Sequence, residues 1–171
     1  MWHEFFFSAP QLKRDPLGLM PDSHTGAILA ALKPLVSKPM WGAGWAGDVA
    51  WFEFGDRVMR SDRHGAQREV GEYALHVSSR WAWRTDSGFL RADEDAIVLS
   101  QLGGLMAHVL RGDADDSGRL SLQFDNGDTL VVEPEDPESD SDEIEYWRLF
   151  QPWLETPHVV VSNRGVEWHE A

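Results

Sequence analysis

The stretch GRLSLQFDNGDTLVVEP, residues 118–134, decides the fold class. Leu120, Leu122 and Phe124 alternate with polar residues before Asn126-Gly127, and apolar residues resume at Leu130, the two-residue period of a half-buried strand. A two-residue turn at Asn126-Gly127 pairs Leu122 with Val131 but sets Leu130 against Gln123. A three-residue loop of Asp125, Asn126 and Gly127, with Gly127 left-handed in a bulge, pairs Leu122 with Leu130 and Leu120 with Val132. Only the second register keeps apolar partners on one face, and a slip of one residue inverts it. The spacing therefore predicts a β-hairpin closed by the three-residue loop.

Working outward, the same period recurs. DVAWFEFG (48–55), EYALHVSSRWAWR (72–84), DAIVLSQ (95–101) and LMAHVLRG (105–112) read as strands. HVVVSNRGVEWHE (158–170) reads as a closing hairpin, His158–Val161 against Val166–Trp168, turning at Asn163-Arg164-Gly165. PDSHTGAILAALKPLVSKP (21–39) predicts a helix capped by Asp22 or Ser23 that ends or kinks at Pro34, where a donor is lost. WGAGWAG (41–47) reads as a glycine-rich connector. Ile144, Trp147 and Phe150, three apart, predict a second helix over DEIEYWRLFQPW, with Asp142, Glu143 and Glu145 stabilising its positive end. Strands in succession without helical crossovers imply an antiparallel sheet. The expectation is an α+β fold: one sheet of six to eight strands, an N-terminal helix, and a C-terminal helix before the closing hairpin. Residues 1–171 form a single domain, with 134–141 as an acidic flexible loop.

Composition narrows the function classes. Nine Trp, eight Phe and two Tyr supply a large core, and the absence of Cys excludes disulfides, thiol catalysis and Cys-ligated metal. Net charge is −14, divided unevenly: residues 1–85 carry ten Lys/Arg against nine Asp/Glu, and residues 86–171 five against twenty. Phosphate neutralisation needs clustered Lys/Arg, so nucleic acid is an unsuitable partner and a basic protein a suitable one. No run of 18 apolar residues suggests a membrane span, and the N-terminus lacks the basic start and apolar core of a secretory signal. A cytoplasmic location is expected.

YALHVSSRWAWR (73–84) and LSLQFDNGDTLVVEP through EYWRLF (120–150) resemble a family of small bacterial proteins of unknown function. The resemblance rests on Tyr73, Leu75, His76, Trp83, Arg84, Asn126, Gly127, Trp147 and Arg148, and covers about residues 70–165. SSRWAWR offers two tryptophans where the pattern has one Trp-Arg pair, so the alignment there can shift by two residues. The resemblance implies an antiparallel sheet and no assigned activity. Immunity proteins of similar size and acidity supply an analogy for toxin neutralisation.

Candidate chemistry is sparse. His76, with Arg84 and His108, could form an enzyme site on the sheet face, although a strand histidine is more often a packed, hydrogen-bonded residue. DADDSG (113–118) opens like a calcium loop, yet Phe124 stands where the bidentate Glu belongs, so a polar hairpin loop is the simpler reading. The seven histidines have no metal-ligand spacing, GxSxG is absent, and no metal or cofactor is expected, although His76, His108 and His158 could converge across strands. Trp41, Trp45, Trp51, Trp81 and Trp83 could form an aromatic platform, but large aromatics usually pack the core. Glu133–Asp140 carries five acids in eight residues, a density that keeps a loop extended and suits a basic partner, or merely solvates it. The expected function is a non-enzymatic protein-binding module of the immunity or inhibitor kind. It would bind through Glu135, Asp136, Glu138, Asp140, Trp147 and Trp153. A small enzyme at His76 and an accessory or structural subunit are the alternatives.

Overall fold

A computed structural model describes residues 23–62, 64–86, 88–91, 102–134 and 143–170. Helix α1 (His24–Leu32) is capped by the Ser23 hydroxyl, which accepts from the Gly26 N–H at 3.2 Å. It tightens into a 3-10 turn at Lys33–Leu35, at the Pro34 position expected to end it. Ile28 and Leu32 are fully or nearly buried.

Eleven strands follow among the described residues: β1 (Pro39–Ala46), β2 (Val49–Ser61), β3 (Gln67–Val77), β4 (Arg80–Thr85), β5 (Gly88–Arg91), β6 (Ala107–Ala114), β7 (Leu120–Phe124), β8 (Thr129–Glu133), β9 (Glu145–Phe150), β10 (His158–Ser162) and β11 (Gly165–His169). They form one sheet in the order β11-β10-β9-β3-β2-β1-β6-β7-β8-β4-β5, antiparallel at every junction. The antiparallel sheet matches expectation, whereas the class does not. The protein is mostly β, with more strands than six to eight, and among the described residues the segment just before the closing hairpin holds a strand and no helix.

The hairpin at 118–134 takes the three-residue register, Leu120 opposite Val132 and Leu122 opposite Leu130, with Gly127 at φ 87°. The Gly127 N–H donates to the Phe124 carbonyl, and a side chain is strained at that φ, so the turn favours glycine. The closing hairpin also forms, but its turn is Asn163-Arg164 alone, and Gly165, expected in the turn, pairs with Ser162 as the first residue of β11. WGAGWAG is strand β1 rather than a connector: the Trp51 side chain lies across Gly44, where a Cβ would collide with its ring. Residues 95–101 lie outside the described residues.

The segment expected to be a C-terminal helix is strand β9. Trp147 and Leu149 face inward, and pairing with β10 runs Val161 to Trp147 and then Ser162 to Glu145, so Tyr146 is an unopposed bulge residue. The bulge buries Tyr146 beside Trp147 and breaks the strict alternation, which made three-residue spacing look helical. The Tyr146 carbonyl accepts from the Ser78 and Ser79 N–H groups and the Ser79 hydroxyl.

Only Ser78 and Ser79 separate β3 from β4, yet β3 pairs with β2 and β9 while β4 pairs with β8 and β5. The chain thus turns a corner between two halves of the sheet. Strand β6 links the halves elsewhere, Ala107 and His108 pairing with β1 and later residues with β7. The halves pack face to face: Phe52 of β2 meets Trp81 of β4 edge-on at 5.2 Å between centroids, and within the β4–β8–β7 half Trp83 lies 4.8 Å from Phe124. Trp147 has no exposed surface and its indole N–H donates to the Gly118 carbonyl at 2.8 Å, tying β9 to the β6–β7 turn. No helix among the described residues is long and apolar enough to cross a membrane.

Trp147→Phe keeps an aromatic ring but leaves the buried Gly118 carbonyl without its donor. The expected loss is about 1–3 kcal/mol of unfolding free energy in urea titration. An unchanged midpoint would show that this hydrogen bond contributes nothing to joining the halves.

Candidate functional site

Two regions of the fold gather residues with chemical potential. The first is one end of the sheet, where the α1 N-terminus, the β6–β7 turn, the end of β8, the start of β9 and the β10–β11 turn converge. Asp116 accepts from the Thr25 N–H at 3.0 Å and the Thr25 hydroxyl at 2.6 Å, which holds its carboxyl below the ordinary carboxylate value. Asp115 accepts from the Ser117 N–H, the Ser117 hydroxyl and the Arg119 N–H. The loop that resembled a calcium site thus spends Asp115 on its own backbone, as a polar hairpin turn.

Both stems of the acidic segment reach this end. Pro134 lies against Gly118, while Ile144 exchanges hydrogen bonds with Asn163 and Glu143 pairs with Arg164 at 2.7 Å. Glu133 lies 3.6 Å from Arg119 and 3.9 Å from Arg84. Glu135, Asp136, Glu138 and Asp140 lie outside the described residues. A cavity of about 200 Å³ lined by Asp113, Ala114, Asp115, Arg119 and Ser121 sits beside the same turn.

The second region is the outward face of β2, β3, β9, β10 and β11. Cross-strand pairing aligns Trp51, His76, Arg148, Val160 and Glu167 in one row. Residues two along on each strand bring Ala74, Phe150, His158 and His169 into the next. His76 meets Phe150 edge-on at 4.7 Å, and Phe150 stacks on His158 at 4.5 Å. Arg148 is held by Glu145, its Nε donating at 2.7 Å and a second nitrogen donating to the other carboxylate oxygen. Burial lowers the His76 and His158 pKa values, and the nearby Arg148 charge lowers both further. This face can present neutral imidazoles and a clamped guanidinium.

The expected enzyme trio is not assembled. His76 is on β3, Arg84 on β4 in the other half, and His108 on β6, where its ring lies 3.0 Å from the Asp125 carboxylate. Nor do the three histidines converge, since only His158 joins His76, through Phe150. Trp147 is core and presents no surface to a partner. Trp153 is 41% exposed and donates its indole N–H to the Glu72 carbonyl. The five upstream tryptophans form no shared platform: Trp81 and Trp83 are buried, while Arg57 covers the Trp41 ring at 4.4 Å.

Sequence reasoning named His158 as a histidine that could meet His76, and missed His169, Phe150 and the Glu145–Arg148 clamp on that face. Counting pairs outward from the Asn163-Arg164 turn puts His158 opposite His169, so that part of the signal was present. Glu143, Glu167 and His169 also bring ligand-type atoms within 4.8 Å of one another, all exposed. The residues that carry the family resemblance lie on β3, β4, β9 and the β7–β8 turn. Comparison with protein-family models, curated proteins and solved structures finds no match to this chain.

The histidine shifts give a signed pH dependence. Above the ordinary value of 6.5 both states hold neutral imidazole; below it the unfolded chain takes up protons that the folded His76 and His158 resist. Stability is therefore full above that pH and falls on acidification toward the folded values. Burial raises the Glu53 pKa, which acts in the opposite sense as the pH falls. Comparison with His76→Gln isolates the histidine part. The variant should lose less stability than wild type between about pH 7.5 and about pH 5 in urea titrations. Parallel pH profiles would show that His76 protonates equally in both states.

Proposed function

We propose that this chain is a non-enzymatic, cytoplasmic protein-binding module that captures a basic partner, in the manner of an immunity or inhibitor protein. The contact surface in this reading is the acidic segment Glu135, Asp136, Glu138 and Asp140. The observation that supports it is the position of that segment's stems: Pro134 lies against Gly118 in the turn bearing Asp115 and Asp116, and Glu143 pairs with Arg164 at the same end of the sheet. The described acids Asp115, Asp116, Glu133 and Glu143 thereby gather at one end of the sheet. Much of the described acid there is matched by arginine, Glu133 by Arg119 and Arg84, Glu143 by Arg164, and Asp113 by Arg111. In this reading the four further acids that the sequence carries at 135–140 supply the charge for the partner. Complementary charge of this kind accelerates encounter and rejects acidic competitors.

Trp147, being core, is withdrawn from the contact surface, and Trp153 stands apart against β3. Affinity in this reading comes from the partner's fit to the charged end and not from those two indoles. The resemblance to small bacterial proteins of unknown function is consistent with this reading. An enzyme at His76 has less support, because Arg84 and His108 lie elsewhere.

Affinity capture from a bacterial lysate at low and high salt, wild type beside the Glu135→Gln, Asp136→Asn, Glu138→Gln, Asp140→Asn variant, tests the proposal. One stoichiometric basic protein should be retained at low salt, lost at high salt, and lost with the variant. Capture that survives the four substitutions removes the acidic segment from the contact.

A further inference from the structure

Strand β11 ends the sheet, and among the described residues it pairs only with β10. Its two-residue turn makes Ser162 and Gly165 the closing hydrogen-bonded pair, so alternate residues Glu167 and His169 bond toward β10. The backbone N–H and C=O groups of Val166 and Trp168 therefore point to the open side. Such an edge is a template for another strand unless proline, a bulge or charge blocks it. β11 has neither a proline nor a break in register, and Trp168 is 63% exposed.

We propose that this edge pairs antiparallel with the same edge of a second copy, about a two-fold axis through Trp168. The charges on β11 select both occupant and register. With the axis at Trp168, the two Trp168 residues form a hydrogen-bonded pair through their outward backbone groups. Glu167 of each copy then faces His169 of the other. With the axis at Glu167, the two Glu167 carboxylates oppose each other, an arrangement that destabilises pairing. The order Glu-Trp-His is thus self-complementary in one register and self-repelling in the other.

The surroundings fit this pairing. Within one copy Glu167 lies 3.0 Å from His169, so joining two copies sets each carboxylate between two imidazoles on the outward face. Glu143, the other acid of that cluster, is already matched by Arg164 at 2.7 Å. On the opposite face Val166 packs against the core, and the pairing covers the two Trp168 rings with each other. α1 reaches the strand at its turn end, where the His24 ring lies against Gly165. This association uses residues separate from the acidic segment, so each proposal can fail without the other.

Sedimentation equilibrium of the whole chain from micromolar to submillimolar concentration is the test. Wild type should show a monomer–dimer equilibrium. Trp168→Pro removes an outward N–H and the indole without breaking the β10 ladder, and should leave monomer. Glu167→Lys should weaken the dimer by about tenfold through two lost pairs. Adding His169→Glu to Glu167→Lys sets a lysine against a carboxylate across the Trp168 axis and should return the affinity. Circular dichroism melts confirm that each variant is folded. Wild type remaining monomeric, a dimer indifferent to Trp168→Pro, or a charge swap that fails to rescue would each overturn the proposal.

Discussion

The indole of Trp147 is the constraint on which the two halves of the sheet depend. It is wholly buried and its N–H ends on the Gly118 carbonyl, in the turn between two strands of the opposite half. A buried donor must find an acceptor or carry its full desolvation cost. Meeting that demand fixes where β9 stands relative to β6 and β7. Gly118 itself sits at φ 85°, and a Cβ there would press on Val161 and Tyr146. The close approach of backbone to β9 and β10 thus needs glycine at this position.

From that junction the placement of charge follows. Once the β6–β7 turn lies against β9 and β10, Asp115, Asp116, Pro134, Glu143 and Arg164 share one end of the molecule. The inward faces of the strands supply Phe52, Trp81, Trp83 and Phe124 to one core, leaving the outward faces to carry polar chemistry. On β3, β9 and β10 the outward face holds His76, Phe150, His158 and the Arg148–Glu145 pair. Partial burial, with the nearby Arg148 charge, explains why those imidazoles favour the neutral form.

Much of the local structure was legible because short-range chemistry determines it. The β7–β8 register followed from apolar alternation and from glycine in a left-handed turn, and the α1 boundaries followed from Ser23 and Pro34. β9 was misread because a bulge at Tyr146 puts consecutive aromatics inside, and its cause is pairing with β10 and the Ser78–Ser79 corner. β1 was misread because the same glycines that suggest a loop also permit Trp51 to lie flat across a strand. His76 was legible as a candidate, but the residues around it come from strands far away in sequence. Arg84 and His108 illustrate the converse: their residue types suited a site, and the fold sends them to other strands.

The sequence by itself determined the strand-rich character, the β7–β8 register, the capped first helix and the acidic second half. Each depends on neighbours within a few residues or on composition alone. The tertiary structure decided the strand order, the burial of Trp147, the grouping of His76 with Phe150 and His158, and the open edge bearing Trp168. Those features depend on which strands lie side by side, and that is settled by nonlocal pairing and by the need to bury two apolar faces against each other.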